Sequence, residues 1–136
     1  MKDGAKAGGG YIVKPVELAH LANHNESALP PAYGPRLLHV SDDLAGGADV
    51  FITSRSVTGL AGPAEPNVMP HKHTVSQTYM FFSPDDSLEL EVELEGKREF
   101  VRAPASVFIP AHVEHALRIL RGTGTVLSIV RSGNYD

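Results

Sequence analysis

The segment from Leu88 to Glu95 constrains the fold of this chain more than any other stretch. Leu88, Leu90, Val92 and Leu94 alternate with the glutamates at 89, 91, 93 and 95. A period of two places the apolar side chains on one face of a β-strand and the charged side chains on the other. The pattern predicts a strand of an antiparallel sheet, with the leucines on a core and the glutamates in water rather than in an acidic binding site.

Similar short segments, separated by glycine or proline turns, run along most of the chain. They predict strands over 11–13, 36–40, 48–59, 70–82, 88–95, 98–101, 107–109, 114–120 and 125–130, with turns at 41–47, 83–87, 95–97, 103–105 and 121–124. A weak helical pattern over 16–25 carries His20 and His24, which we expect on the surface. Strands at a spacing of roughly 8–12 residues are typical of a sandwich or barrel. We therefore expect a disordered tail over 1–10, a single all-β domain over 11–136, and a polar tail after residue 130.

Composition excludes several classes of function. The net charge of −4 disfavours nucleic acid as a partner, because backbone phosphates require a basic surface. No apolar run approaches the roughly 20 residues of a membrane-spanning helix, and no leader pattern predicts export, so we expect a cytoplasmic protein without a membrane partner. The chain contains no cysteine, so disulfides, thiolate ligands and cysteine nucleophiles are absent.

The segment Pro70–Phe82 carries the chemistry. If it forms a strand, His71, His73, Val75 and Gln77 share one face, and two imidazoles and an amide point into one space. Such a set suits a metal ion, although a buried histidine is more often a hydrogen-bonded core residue. A further histidine, His115, follows the proline turn at Pro110.

These motifs resemble those of the cupin superfamily, whose members are double-stranded β-helix barrels of the jelly-roll type. The first cupin motif is similar to His71-x-His73-x3-Gln77, with glutamine in place of the usual glutamate. The second is similar to Pro110-x-His112-x2-His115. The resemblance covers about residues 70–119. The glycines and the asparagine of the two motifs are replaced by Glu65, Pro84, Pro104, His112 and Ile119, which affects the loops more than the chemistry.

The resemblance implies a small monodomain, metal-binding cupin of the cupin-2 type. It would bind a divalent ion (Fe, Zn, Ni or Mn) through His71, His73 and His115, with Gln77 as a fourth ligand or close neighbour. His112 and Tyr79 are catalytic candidates, and His112 has the alternative of a surface turn residue. The expected substrate pocket comprises Ile52, Met69, Phe81, Phe108, Leu117 and Arg55, and the candidates for gripping a substrate carboxylate are Arg36, Arg55 and Arg118. Related cupins pair through N-terminal strands, so a homodimer formed through residues 11–13 and 36–40 is implied.

Three functions are compatible with this site. The first is a non-haem metal dioxygenase acting on a small anionic or enolisable substrate, because neutral ligands on one face leave positions for substrate and oxygen. The second is a non-redox Lewis-acid isomerase, lyase or polyketide cyclase. Some small cupins that act on unsaturated uronates have a similar set of three histidines and one glutamine. The third is a non-enzymatic small-molecule-binding cupin, since one fold hosts many functions.

Overall fold

The structure is a computed structural model that describes residues 11–22, 24, 29–63 and 68–135. These residues form eight β-strands and no helix. The strands are β1 (Val16–Glu17), β2 (Tyr33–Val40), β3 (Phe51–Leu60), β4 (Gln77–Phe82), β5 (Glu89–Leu94), β6 (Lys97–Arg102), β7 (Ala105–Ile109) and β8 (His115–Val130). Every strand pair is antiparallel. The predicted all-β class is confirmed.

Two sheets share the long strand β8. The larger sheet has the order β1-β2-β3-β8-β4-β7, and the smaller one consists of β6, β5 and the first part of β8. Residues 115–121 of β8 pair with β5, whereas residues 122–130 lie between β3 and β4. The main buried cluster contains Val57, Phe81, Leu90, Ile109 and Leu117, so both sheets contribute to one core, as in a jelly roll.

The alternation at Leu88–Glu95 is confirmed as a strand. Leu88, Leu90 and Val92 are fully buried, and burying such a side chain stabilises the fold by about 1.5–3 kcal/mol. Glu89 differs from the expected water-facing residue, because it is buried between Arg102 and Arg121 at 2.6 and 2.7 Å. The hydrogen bond from Arg102 lowers the pKa of this carboxyl group. The glutamate face therefore includes a structural ion pair.

The turn predicted at 121–124 is not a strand break. The chain continues as β-strand through Gly122, which adopts a φ of +105°. A side chain there would collide with the carbonyl oxygen of Ser87, so only glycine fits. Glycines that indicated a turn in the sequence instead allow β8 to pass from one sheet to the other.

The N-terminal region also departs from the sequence prediction. Residues 11–13 form no strand, and Tyr11 and Ile12 are exposed. The helix expected over 16–25 is wrong for the described residues, because Val16 and Glu17 form β1 against β2. A weak apolar period did not outweigh the free edge of a neighbouring sheet. The tail predicted over 1–10 lies outside the described residues.

Candidate metal centre

Three buried imidazole rings converge inside the jelly roll. The possible ligand atoms of His71, His73 and His115 all lie within 4.8 Å of one another. The ring centroids are 4.9 Å apart for His71 and His73, 4.5 Å for His71 and His115, and 5.3 Å for His73 and His115. The structure thus brings together the three histidines that the sequence predicts as ligands.

Backbone pairing positions these rings, although not through the strand that the sequence predicts. The strand expected from Pro70 begins only at Gln77, and His71 and His73 precede it. His71 forms an isolated bridge with His115, with N–O distances of 3.0 and 2.8 Å in the two directions. The amide of His112 donates to the carbonyl oxygen of His73 at 2.8 Å. Two chain segments about forty residues apart are therefore locked together at the centre.

Hydrogen bonds to backbone carbonyls select one tautomer for two of the histidines. Nδ1 of His71 lies 2.6 Å from the carbonyl oxygen of Met69, and Nδ1 of His115 lies 2.9 Å from that of Val113. A carbonyl oxygen only accepts, so Nδ1 carries the proton in both rings and Nε2 carries a lone pair. Burial lowers the pKa of both rings, to about 4 for His115, which keeps them neutral near pH 7.

Gln77 offers a neutral side-chain oxygen on β4, two residues before Tyr79, whose ring centroid is 6.3 Å from that of His115. The Gln77 side chain is buried, and its Nε2 donates to Oγ of Ser128 at 2.7 Å. Within the described part of the chain, Oε1 of Gln77 and Nε2 of His115 are buried without a hydrogen-bond partner. Leaving buried polar atoms unsatisfied is costly, and a cation would satisfy both. The donor set therefore fits a divalent transition metal such as Fe, Zn, Ni or Mn, although its chemistry does not single out one of them.

A cavity adjoins the centre, and two arginines line it. Its volume is about 50 Å³, enough to hold more than one water molecule. Arg36 on β2 and Arg55 on β3 are paired residues of neighbouring strands, and both are buried in the cavity wall. Burial lowers the pKa of each guanidinium, but arginine remains charged at neutral pH.

The Arg55 side chain is held in place by two contacts. Its NH1 donates to the carbonyl oxygen of Gly34 at 2.9 Å, and its guanidinium carbon lies 5.7 Å from the centre of the Tyr33 ring. A guanidinium fixed in this way loses little freedom when it binds a planar anion. These contacts fix the orientation of the Arg55 guanidinium in the cavity wall.

Some of the predicted pocket residues line this cavity and others do not. Arg55, Tyr79 and Leu117 line it. Phe108 is 65% exposed, because on β7 the next residue, Ile109, faces the core. Ile52 lies on the face of β3 opposite Thr53 and Arg55, Met69 is 42% exposed, and Phe81 is buried in the core instead. Of the predicted pocket residues, Phe108, Ile52, Met69 and Phe81 therefore do not line this cavity.

Two charged candidates lie elsewhere. His112 is exposed on the turn before β8 with a φ of +69°, so the catalytic role predicted for it finds no support in this placement. Arg118 lies in a separate groove with Glu91, Glu93 and Arg98. Of the three arginines expected to grip a substrate, only Arg36 and Arg55 line the cavity.

Sequence reasoning missed two residues of the site. His24, expected on the surface, lines the cavity with its ring centroid 5.7 Å from that of His71. Burial, and then the charge of Arg36, lower its pKa to about 3. Tyr135, expected in a polar tail, also lines the cavity, and its hydroxyl lies 3.1 Å from Nε2 of His71. His24 belongs to a weak helical pattern and Tyr135 to a tail, so no strand pattern could have placed them.

Comparison with solved structures places this architecture among known folds. No protein-family model and no curated protein sequence matches the chain. An RmlC-like cupin from Shewanella frigidimarina aligns over 90% of this chain and 96% of its own, with 16% identity and a TM-score of 0.51. The chain has the cupin fold.

Two further solved structures share the fold. KdgF from Halomonas sp. is 20% identical over 88% of this chain and 94% of its own, with a TM-score of 0.52. An oxalate decarboxylase from Bacillus subtilis, which has Mn(II) centres, is 13% identical over 93% of this chain but only 32% of its own, with a TM-score of 0.55. Similarity at this level shows the fold, whereas function has to be argued from the site.

Proposed function

We propose that this cupin is a metal-dependent enzyme that acts on a small organic carboxylate by non-redox chemistry, such as isomerisation, elimination or cyclisation. The observation that carries the proposal is the placement of two buried arginines in the cavity that adjoins the three-histidine centre. Tyr135 and Tyr79 connect the two parts, because both line the cavity and their rings lie close to His71 and His115 respectively. Anion recognition and the metal ligands therefore share one small space.

The arginines would bind and orient the substrate. A guanidinium binds a carboxylate through two parallel hydrogen bonds, and such charge-assisted bonds are stronger in a buried site than in water. Arg36 and Arg55 sit opposite each other on β2 and β3, and both line the cavity, so one ligand could contact both guanidinium groups.

A bound divalent ion would supply Lewis-acid polarisation of a substrate oxygen, undiminished by any anionic ligand among the three histidines and Gln77. Near this ion, the side chains of Tyr79 and His24 each keep one protonation state at neutral pH. Burial raises the pKa of Tyr79 to about 12, so its phenol stays a hydrogen-bond donor at neutral pH. The neutral imidazole of His24 can accept a hydrogen bond at the cavity wall. These residues suit negative charge that develops on a substrate carbon or oxygen next to the carboxylate.

The name of one structural neighbour agrees with this substrate class. The oxalate decarboxylase that shares the fold acts on a small dicarboxylate. The similarity of the three-histidine, one-glutamine set to that of uronate-converting cupins favours the same class. Unsaturated uronates and 2-oxo acids are therefore the first substrates to test.

A non-haem dioxygenase is the second candidate. The three histidines lie on one side of the expected ion position, and a set of neutral ligands on one face leaves room for both substrate and oxygen. Dependence on oxygen separates the two candidates. Iron-specific activity that consumes oxygen would favour the dioxygenase.

The test is turnover of a carboxylate panel under strict anaerobiosis, with protein loaded in turn with Zn, Mn, Ni or Fe. We expect turnover without oxygen and a loss of roughly 100-fold or more in kcat/KM for Arg36→Gln, because two charge-assisted hydrogen bonds disappear. Metal content should stay unchanged in that variant. Arg98→Gln is the matched control, since Arg98 is exposed on β6. A strict requirement for oxygen would overturn the non-redox proposal.

A further inference from the structure

The hydroxyl of Tyr135 occupies the position on His71 that a metal ion needs. Nδ1 of His71 donates to the carbonyl oxygen of Met69 at 2.6 Å, so its only lone pair is on Nε2. The hydroxyl of Tyr135 lies 3.1 Å from that Nε2 and has to be the donor in this hydrogen bond. The phenol proton and a metal ion therefore compete for the same lone pair.

We propose that Tyr135 guards the metal centre: its hydroxyl caps Nε2 of His71 in the metal-free protein and has to leave that nitrogen when an ion binds. This inference concerns metal loading and stands apart from the choice of substrate or reaction. The guard keeps His71 in the tautomer that the ion requires, and it lowers the affinity of the centre for metal by the strength of one hydrogen bond.

The packing of Tyr135 limits how it can move. Its ring centroid is 4.9 Å from that of His73 in an edge-on arrangement and 5.6 Å from that of Phe51. The ring also lines the substrate cavity. Movement away from His71 would therefore change the environment of the ring and the shape of the cavity together.

The backbone before Tyr135 is well anchored, which confines the movement to the end of the described chain. The amide of Arg131 donates to the carbonyl oxygen of Ser76 at 3.1 Å, and the amide of Asp42 donates to that of Gly133 at 2.8 Å. Gly133 packs so closely that a side chain would collide with the carbonyl oxygen of Ala48. Beyond it, the amide of Asn134 lies 3.4 Å from Oγ of Ser132, which is long for a hydrogen bond. Release of Tyr135 therefore does not require the sheet to open.

The first experiment measures Zn²⁺ affinity by competition with a chromophoric chelator. We expect Tyr135→Phe to bind Zn²⁺ about fivefold more tightly than the unchanged protein, because the ion no longer displaces a hydrogen bond. Phenylalanine keeps the ring and removes only the hydroxyl. Tyr11→Phe is the matched control, since Tyr11 is 92% exposed and should leave the affinity unchanged.

A double-mutant cycle assigns the effect to His71. In a His71→Ala background, Tyr135→Phe should leave the remaining Zn²⁺ affinity unaltered, because the hydrogen bond is already gone. Equal affinities of the unchanged protein and Tyr135→Phe would overturn the proposal. Weaker binding by Tyr135→Phe would also overturn it, since the phenol would then be a ligand rather than a competitor. Failure of the unchanged protein to bind Zn²⁺ would remove its basis.

The second experiment follows the ring itself. The chain has four tyrosines and no tryptophan, so ring-labelled tyrosine gives few NMR signals, and Tyr135→Phe identifies the one of interest. We expect this signal to shift more than those of the other three tyrosines on addition of Zn²⁺, as the ring leaves its edge-on contact with His73. A Tyr135 signal unchanged at saturating Zn²⁺ would contradict the displacement. Both experiments use no substrate, so their failure is distinguishable from failure of the proposed reaction.

Discussion

As a fourth ligand, Gln77 would determine the charge of the donor set. Each of the three histidines would bind a metal as a neutral imidazole. A glutamate at position 77 would add a negative charge to this set. The amide is held by Ser128 at 2.7 Å, with Oε1 left on the buried side. The identity of this single side chain therefore sets how strongly an ion here attracts an anionic substrate.

Replacing Gln77 by glutamate tests this role. In Gln77→Glu we expect divalent metal to bind roughly tenfold more tightly and the non-redox reaction to slow by at least tenfold, because a carboxylate neutralises part of the ion's charge. Ser128 can donate its hydroxyl proton to the new carboxylate, so the position stays satisfied. Metal titration and steady-state kinetics measure the two effects.

Gln77→Met serves as the uncharged control. It removes the oxygen without adding charge, so metal affinity should fall rather than rise. An unchanged rate in Gln77→Glu would contradict the account of this residue given above.

The residues of the site differ in how far the sequence could reveal them. The spacing of His71, His73 and His115, together with the cupin resemblance, was sufficient to expect a shared centre. His24 and Tyr135 reach the same place from segments with no strand pattern, through tertiary contacts that no local rule encodes. Side chains contributed by irregular segments are the part of a site that a single sequence hides.

Strand β8 pairs with more strands than any other element of the described residues. It pairs with β3, β4 and β5, and it changes sheets where Gly122 and Gly124 lie. A side chain at either glycine would collide with backbone, with Ser87 in one case and Phe82 in the other. The two sheets can approach this closely only because these positions lack a Cβ atom.

Substitution of Gly122 should therefore be severe. We expect Gly122→Ala to lower the free energy of unfolding by about 3 kcal/mol or more, through a steric clash and a positive φ that alanine rarely adopts. Gly62→Ala is the matched control, because a Cβ there meets nothing within 4 Å. Urea denaturation of the two variants measures the difference, and similar losses in both would refute the explanation.

At the scale of single strands, the sequence predicted the strand and its buried side chains well where one face of the strand is buried. The alternation of leucine and glutamate gave β5 and its facing correctly. It failed for Phe108, where a short apolar run does not say which residue faces inward, and a shift of one residue reverses the face. The sequence pattern also predicted a turn at Gly122 and Gly124, because the same freedom of φ is needed in turns and in close strand crossings.

The whole molecule combines a net negative charge with two arginines in the wall of an interior cavity. The formal charge is −4, yet Arg36 and Arg55 line the buried cavity. Global charge therefore predicts nothing about the sign of the ligand at the site.

No helix in the described ranges is long and apolar enough to cross a membrane. The homodimer implied by the resemblance stays a prediction. Of the two segments expected at its interface, 11–13 and 36–40, only 36–40 belongs to a strand, β2.

Acid should destabilise the metal-free protein before its carboxylates titrate. Burial lowers the pKa of His115 to about 4 and of His24 to about 3, below the ordinary value of 6.5. The unfolded chain then binds more protons than the folded protein below pH 6.5, so stability falls as the pH falls from there towards 4. For His115 alone the loss between pH 7 and pH 5 is about 2 kcal/mol.

Urea denaturation of chelator-treated protein at pH 7, 6 and 5 measures this loss. His115→Gln should have a shallower dependence on pH, whereas His20→Gln, at an exposed position, should retain the full slope. The lowered pKa of Glu89 acts at lower pH and leaves this window unaffected. A slope that is the same in all three proteins would show that His115 is not buried in its neutral form.

Because β8 belongs to both sheets, neither sheet has a complete set of hydrogen bonds without the other. Loss of β8 from one sheet would expose the apolar cluster that both sheets share. A partly unfolded state would therefore have no hydrophobic core of its own. Heating should accordingly give a single calorimetric transition, with equal van't Hoff and calorimetric enthalpies. His115, at the start of this strand, would then stay paired with His71 until the entire chain unfolds.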